Sequence, residues 1–509
     1  MGFHLGIDVS TQSVKCIVID TENGTVPAES SVNFGRDLPS YHAPDGFRPN
    51  ADPRIKQADP RMWLDGLELA LEQLSASGFD LARIDGISGS GQQHGSVYCR
   101  EEFSPLRPGR SLAEQIGPRL SRPVAPIWMD RSTATECREL DAAFGDRLQR
   151  DTGSPAIERF TGPQIRKFAR EEPKAWRRTR RVHLVSSFLC SVLCGSDAPI
   201  DFGDGAGMNL LNLQTLQWDP AIVEFTAPDL MAKLPPAVPS ATVAGGLDGW
   251  FRRFGLRPGI PVVVWSGDNP NSLVGTGAAT PGLAGISLGT SDTFFAPMRV
   301  FKTDPQGCGH VFGNPAGGFM SLICFTNGSL AREAIRRELA VNWEFFDRDA
   351  LEQSSTGNGG RLMLPYFEPE STPPVPRPGV RRNYTQATPA EEIRAILESQ
   401  ALSLRLHSSW QGERFRRIRL TGGASKSTGF RQILADVFQA QIETIQVTNS
   451  AGLGAAFRAA NAVEQISFER LSDRFCRPQE ITHPDPANAE LYQEMLKQFR
   501  DFEAAAQQA

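Results

Sequence analysis

Two short stretches of this 509-residue chain repeat one pattern. Gly6-Ile7-Asp8-Val9-Ser10-Thr11-Gln12 near the start is echoed by Gly285-Ile286-Ser287-Leu288-Gly289-Thr290-Ser291. Each is an apolar segment, then a turn of small hydroxyl residues, then a second β-rich segment (14–19 and 293–295). One such turn means little, because Ser, Thr and Gly are ordinary turn residues. Two of them, one early in each half, point to two related domains facing a shared cleft. A hairpin tip of this kind presents backbone N–H groups and hydroxyls without bulk, which suits phosphate oxygens. A nucleotide polyphosphate is the natural occupant. The chain is also too long for one ordinary core. The expected division is a first domain over 1–258, a second over 259–485 and a helical tail over 486–509.

Strand-like and helix-like patterns alternate, which argues an α/β fold. Residues 4–7 and 14–19 read as strands joined by a polar turn. Trp63, Leu67, Ala70, Leu71 and Leu74 share one helical face. Ile393, Ile396, Leu397, Ala401 and Leu404 mark another helix. Phe430, Ile433, Leu434, Val437 and Phe438 keep clean i, i+3, i+4, i+7, i+8 spacing. Residues 101–125 and 368–382, rich in Pro, Arg and Ser, read as surface excursions, the second with polyproline character. The formal charge of −5 argues against a general nucleic-acid binder. Eight scattered cysteines suit buried intracellular thiols, and Cys190 and Cys194 stand one helical turn apart. No run of about 18 apolar residues suggests a membrane span. The first residues read as a strand rather than a secretory leader, so a cytoplasmic protein is expected.

Candidate chemistry gathers where strands end. The apolar run 262–265 leads to Asp268, Asn269 and Pro270. An acid there can be a base, a metal ligand or a helix cap. Asp8 lies on the first hairpin; beside a polyphosphate its carboxylate needs a cation between, so it reads as a Mg²⁺ partner acting through water. Gly422-Gly423-Ala424-Ser425, between a strand and a helix, fits neither the Walker nor the dinucleotide pattern. Its adjacent glycines suit close approach of an adenine ring or an α-phosphate, and equally a tight turn.

The segments "GIDVSTQSVKCIVID", "GSGQQHGSVY", "WMDRST", "ERFTGPQI", "GDNPNSLVG", "SLGTSDT", "FTNGSL" and "TGGASKSTGFRQILADVF" occur in this order over roughly residues 4–460. As a set they resemble the FGGY carbohydrate kinase family. The resemblance implies two actin-like (ribonuclease H-like) ATPase domains with a ligand cleft between them. It implies ATP and Mg²⁺ as cofactor and ion, a small sugar as substrate, and no nucleic-acid or membrane partner. "GQQHG" and "GDNP" resemble members acting on the ketopentose D-xylulose. Another ketose or polyol remains an alternative, as does a non-catalytic sugar or nucleotide sensor.

The resemblance also implies roles. Asp268 is placed as catalytic base, and a loose phosphoryl-transfer transition state asks for one such proton acceptor. His94, Gln93, Arg159, Asn269 and Asp268 would contact the sugar. Thr11 and Gln12 on the first hairpin, and Thr290 and Ser291 on the second, would hold phosphates. Gly423 and Ala424 would border the adenine, with Trp343 stacking on it or packing in the core. Ser427 stands where related sequences have Asn, which puts one nucleotide hydrogen bond in question. The acidic run 201–211 resembles a family segment but receives no role.

Overall fold

In a computed structural model that describes residues 2–447 and 449–508, the chain forms two compact units. The first is Met1–Gly277, Val311–Phe319 and Thr448–Phe475; the second is Ala278–His310, Met320–Val447 and Cys476–Ala509. The units are therefore not simple successive halves. Residues 259–277, expected beyond the 258/259 boundary, and the helix Ser450–Glu464 pack with the first unit.

The first unit is built on strands β1 (Phe3–Val9), β2 (Ser13–Asp20), β3 (Thr25–Asn33), β4 (Ile84–Gly91), β5 (Val243–Gly246), β6 (Pro261–Val263) and β7 (Ser266–Gly267). Their order is β5-β6-β4-β1-β2-β3, with β7 beside β4. β1 and β2 form an antiparallel hairpin with Asp8 opposite Lys15, and β1 runs parallel to β4. The helix Pro60–Ser75 starts where Pro60 sets φ and Asp59 accepts the Arg61 N–H. It buries the face Trp63, Leu67, Ala70, Leu71 and Leu74, as its periodicity requires. The helix Ser450–Glu464 comes closer still. A Cβ added at Gly6 of β1 would stand 2.0 Å from the Gly452 carbonyl oxygen, and one at Gly275 would stand 1.9 Å from that of Ser450.

The second unit holds β8 (Leu283–Leu288), β9 (Asp292–Met298), β10 (Phe319–Phe325), β11 (Arg417–Thr421), β12 (Gln441–Ile445) and β13 (Pro478–Thr482). Their order is β10-β9-β8-β11-β12-β13. This is the order of the first sheet with each strand's counterpart in place. In both, a hairpin lies beside a parallel third strand, then a parallel fourth, then an antiparallel edge. The repeat seen in the sequence is thus a repeat of whole sheets. Ile393, Ile396, Phe430 and Leu434 share one core with Tyr492, Met495 and Phe499. The helix Ala489–Gln508 is consequently part of the second unit's core rather than a separate tail.

Three local expectations change. The apolar run 262–265 is not one strand: β6 stops at Val263 and β7 resumes at Ser266. The segment 101–125 is no mere surface excursion, since Phe103, Leu106, Leu112, Ile116 and Leu120 join the first core. In 368–382, Glu370 is buried and accepts the backbone N–H groups of Thr326 and Asn327. Composition hides this, because apolar residues spaced among Pro and Arg lack a helical or strand period.

Adding even one methyl at Gly275 forces the two helices apart. Gly275→Ala is expected to cost about 1–3 kcal/mol, read as a lower urea midpoint at unchanged slope.

Candidate active site

The break between β6 and β7 sets the position of Asp268. Trp265 is fully buried in the break, and a Cβ at Gly89 would stand 2.0 Å from its ring. The chain then rejoins β4, with Ser266 opposite Ser90 and Gly267 opposite Gly91. Gly267 is the N-cap of the helix Asp268–Gly275 and Asp268 its first residue. The helix-cap reading of Asp268 is therefore set aside. Its Oδ1 accepts the Asn269 N–H at 2.9 Å and the Asn269 side-chain amide at 3.2 Å. On the other side of β4, Asp8 also lies opposite Ser90. One strand end thus brings two acids from residues 8 and 268 together.

Their environment raises both. Burial pushes the Asp268 carboxyl up to about 7, the Asp8 carboxylate adds to the rise, and backbone N–H groups of Asn269 and Gln93 oppose it. Asp268 still shows part of its surface to solvent. Burial likewise pushes Asp8 to about 6, against the Ser90 hydroxyl and the Lys15 ammonium. Asp8 Oδ1 is buried without a hydrogen-bond partner.

The "GQQHG" residues surround this pair. Gln93 Oε1 accepts the Asn269 amide at 2.7 Å. A Cβ on Gly267 would stand 2.3 Å from Gln93 Cγ, so glycine is required before Asp268. His94 adopts φ 67°, a left-handed backbone uncommon outside glycine. Its Nδ1 lies 3.0 Å from the Gly207 carbonyl oxygen, which only accepts, so Nδ1 carries a proton. The ring stacks on Phe160 at 4.2 Å. Arg159 lies over the Phe160 ring, 5.9 Å from its centroid. The five expected sugar contacts therefore belong to one unit, three of them in one chain of contacts: Gln93 with Asn269, and Asn269 with Asp268.

Thr11 on the first hairpin accepts the exposed Trp128 indole N–H at 2.8 Å and donates to Gln92. Gln12 is exposed at the same tip. Trp128 was quoted in "WMDRST" without a role; its contact with Thr11 needed the fold. Asp130 of that segment is buried and ties the loop, accepting from Lys56 N, Ser132 N and Gln164 Nε2. Asp201 and Asp204, in the run that received no role, are buried as well.

In the second unit, Thr290 and Ser291 are exposed at the β8–β9 tip. The tip is held by Ser329 N and Leu330 N, which donate to the Gly289 and Thr290 carbonyls. Beneath it Arg332 grips Asp292 through two bonds of 2.8 and 2.9 Å, an ion pair that sequence reading missed. Gly422, at φ 91°, lies against β8: a Cβ there would stand 2.3 Å from the Leu288 carbonyl oxygen. Around Gly423 a Cβ would meet nothing within 4 Å, which leaves the backbone open to a ligand, and Ala424 follows it. Trp343 is 44% exposed, edge-on to Phe346 and covered by Arg336, so it is not a core residue. Ser427 is different. It is buried, caps the helix Thr428–Phe438 by accepting the Phe430 N–H, and donates to the Asp347 carbonyl. Those duties occupy the hydroxyl in structure.

Among the described residues no cluster of three or more His, Cys, Asp or Glu could hold a metal by itself, and no helix is long and apolar enough to cross a membrane.

The FGGY family of carbohydrate kinases matches in both parts, its N-terminal domain over residues 3–275 and its C-terminal domain over 284–463. A xylulose kinase from Rattus norvegicus is 39% identical over 98% of this chain and 96% of its own length. Xylulose kinase 2 of Arabidopsis thaliana is 40% identical over 90% and 86%. The crystal structure of a xylulose kinase from Rhodospirillum rubrum superposes with a TM-score of 0.83 at 21% identity, covering 99% and 98% of the two chains; it speaks for the fold.

A carboxyl raised in the folded state binds its proton more tightly there than in the unfolded chain. Its stabilisation is full below the unfolded value and is lost as pH rises through about 7. Asp268→Asn should therefore raise the melting temperature most above pH 7, with the gain shrinking towards pH 4.

Proposed function

The chain belongs to the FGGY family of carbohydrate kinases, and from that premise we propose that it phosphorylates D-xylulose to D-xylulose 5-phosphate with Asp268 as the catalytic base. It is an ATP-dependent sugar kinase. The substrate assignment leans on the full-length similarity to xylulose kinases. The observation that carries the mechanism is the placement of Asp268: first residue of a helix, bonded to Asn269, with its carboxyl pushed to about 7.

A base works best when its proton affinity matches the working pH. An ordinary carboxylate is a weak base for a proton drawn from an alcohol that is turning into a nucleophile. Burial beside Asp8 makes Asp268 a stronger one while leaving it about half ionised near neutrality. The Asn269–Gln93 pair holds the carboxylate's direction and offers polar groups to sugar hydroxyls. His94 adds an imidazole, and Arg159 a guanidinium near the same aromatic wall. Positioning of this kind supplies most of the rate in phosphoryl transfer.

Asp8 fits a Mg²⁺ partner. Its buried Oδ1 lacks a partner, and Mg²⁺ typically takes one or two carboxylates plus substrate phosphates rather than a full protein cage. When bound, the ion would offset phosphate charge. Thr11, Gln12, Thr290 and Ser291 are read as phosphate contacts, and Gly423, Ala424 and Trp343 as the adenine border. Ser427 is read as support for that border rather than a direct ligand.

Coupled ADP release, measured over D-xylulose, D-ribulose, L-ribulose, L-xylulose and glycerol, tests the reading. D-Xylulose should be the best substrate; a clear preference for another sugar would replace it. Asp268→Ala should lower kcat by about 10²–10⁴-fold with the fold intact by circular dichroism. His94→Ala should mainly raise the sugar KM, by roughly tenfold, the worth of one lost hydrogen bond. For the wild type, kcat/KM should fall on the acid side with a midpoint near 7, since the protonated base is inactive.

A further inference from the structure

The acidic run 201–211 places two carboxyls one helical turn apart, Asp201 and Asp204, both buried. They are not treated alike. Asp201 Oδ1 accepts the Asp204 N–H at 2.9 Å, and Oδ2 accepts the Ser240 hydroxyl at 2.6 Å. Oδ2 also lies 3.6 Å from the Arg458 guanidinium, which is only 1% exposed. Arg458 is the buried cation of this cluster, and it is bound to Asp201 and to the carbonyls of Val264 and Ser240.

Asp204 has a poorer set of partners for a charge. Its Oδ2 accepts the Ser186 hydroxyl, and its Oδ1 is buried without a hydrogen-bond partner. Burial pushes this carboxyl well above the carboxylate range; Asp201 and Asp268 push it further, against Ser186 and the Gln93 amide. Arg458 is also in electrostatic reach, but its ion pair is with Asp201. One buried cation cannot neutralise two buried acids, and an unpaired buried carboxylate takes up a proton instead.

The other side of Asp204 is the proposed catalytic array. Gln93 lies between: its Oε1 is taken by Asn269, and its buried side-chain amide acts on the Asp204 carboxyl. The Gly267 backbone packs closely against the Gln93 stem, since a Cβ there would stand 2.3 Å from Cγ. The carboxyl of Asp204 therefore stands behind the amide that orients Asn269, which in turn bonds Asp268.

We propose that Asp204 is a positioning residue held as a neutral carboxylic acid, which braces Gln93 and so aims Asn269 and Asp268 without adding a further negative charge beside the base. The consequence concerns Asp268. An anion at position 204 would raise the proton affinity of Asp268 further and leave less of it ionised at neutral pH. A neutral acid supplies the polar support alone. This inference rests on the reading of Asp268 as base, but its first test does not.

That test is infrared spectroscopy of the protein at pH 8. The wild type minus Asp204→Asn difference spectrum should contain a protonated-carboxyl C=O band. A carboxylate band in its place would overturn the proposal. The kinetic test uses Asp204→Ala and Asp204→Asn, with folding checked by melting temperature. The alanine variant should lose about 10- to 100-fold in kcat, the scale of a displaced catalytic group, and the asparagine variant should recover most of it with the acid limb of kcat/KM unmoved. An alanine variant with normal kcat, or an asparagine variant whose acid limb moves down, would overturn it. Should the alanine variant fail to fold, Ser186→Ala takes its place, with a partial loss of kcat expected and normal kcat counting against the proposal. A wild type inactive on every sugar would sink the assigned reaction and leave the infrared result to stand.

Discussion

The helix Ser450–Glu464 touches the first unit's sheet backbone to backbone, and the acids at its centre depend on that contact. Gly6 and Gly452 meet where β1 passes under the helix; Gly275 and Gly454 meet Ser450 and Asn271 where the helix Asp268–Gly275 crosses it. Only glycine permits such approach, because any Cβ would overlap a carbonyl oxygen. β1 carries Asp8 and the crossing helix carries Asp268. One helix, drawn from near residue 450, therefore fixes both carboxyls from the same side. Arg458 on that helix adds a hold on the Val264 carbonyl, inside the break between β6 and β7 that turns the chain towards Asp268.

Electrostatics follow from that packing. Tight burial removes water from Asp8, Asp204 and Asp268, and desolvation is the largest cause of the rise in each. A loose site would leave them ordinary carboxylates. The first unit thus stores an unfavourable arrangement of acids that folding elsewhere must support, which is common where a fold carries chemistry. Burial also raises the second unit's hairpin acid, Asp292, but there a cation opposes the rise. Asp292 is clamped by Arg332, so the acids of the two hairpins have different surroundings.

Much of this was legible in the residues. The paired hairpins foretold the repeated sheet order, because hydrophobic period and small turn residues are local signals. The helix faces at Trp63–Leu74 and Phe430–Phe438 appeared where spacing put them. Trp128 with Thr11, Asp201 with Arg458, and Arg332 with Asp292 were not legible, since each joins residues 40 to 257 positions apart and no local pattern encodes such a meeting. Ser427 shows another limit: the family resemblance marked it as the place of a nucleotide contact, while its hydroxyl's bonds to a helix cap and a carbonyl came only with the fold.

The sequence by itself determined the α/β class, the internal repeat, the kinase family and the identity of the residues around Asp268, since these rest on local periodicity and motif order. Tertiary structure alone decided the division into units, which assigns 450–464 to the first sheet, and the protonation character of the acids. Proton affinity depends on burial and on charges brought from distant positions, and both come into being only when the chain closes on itself.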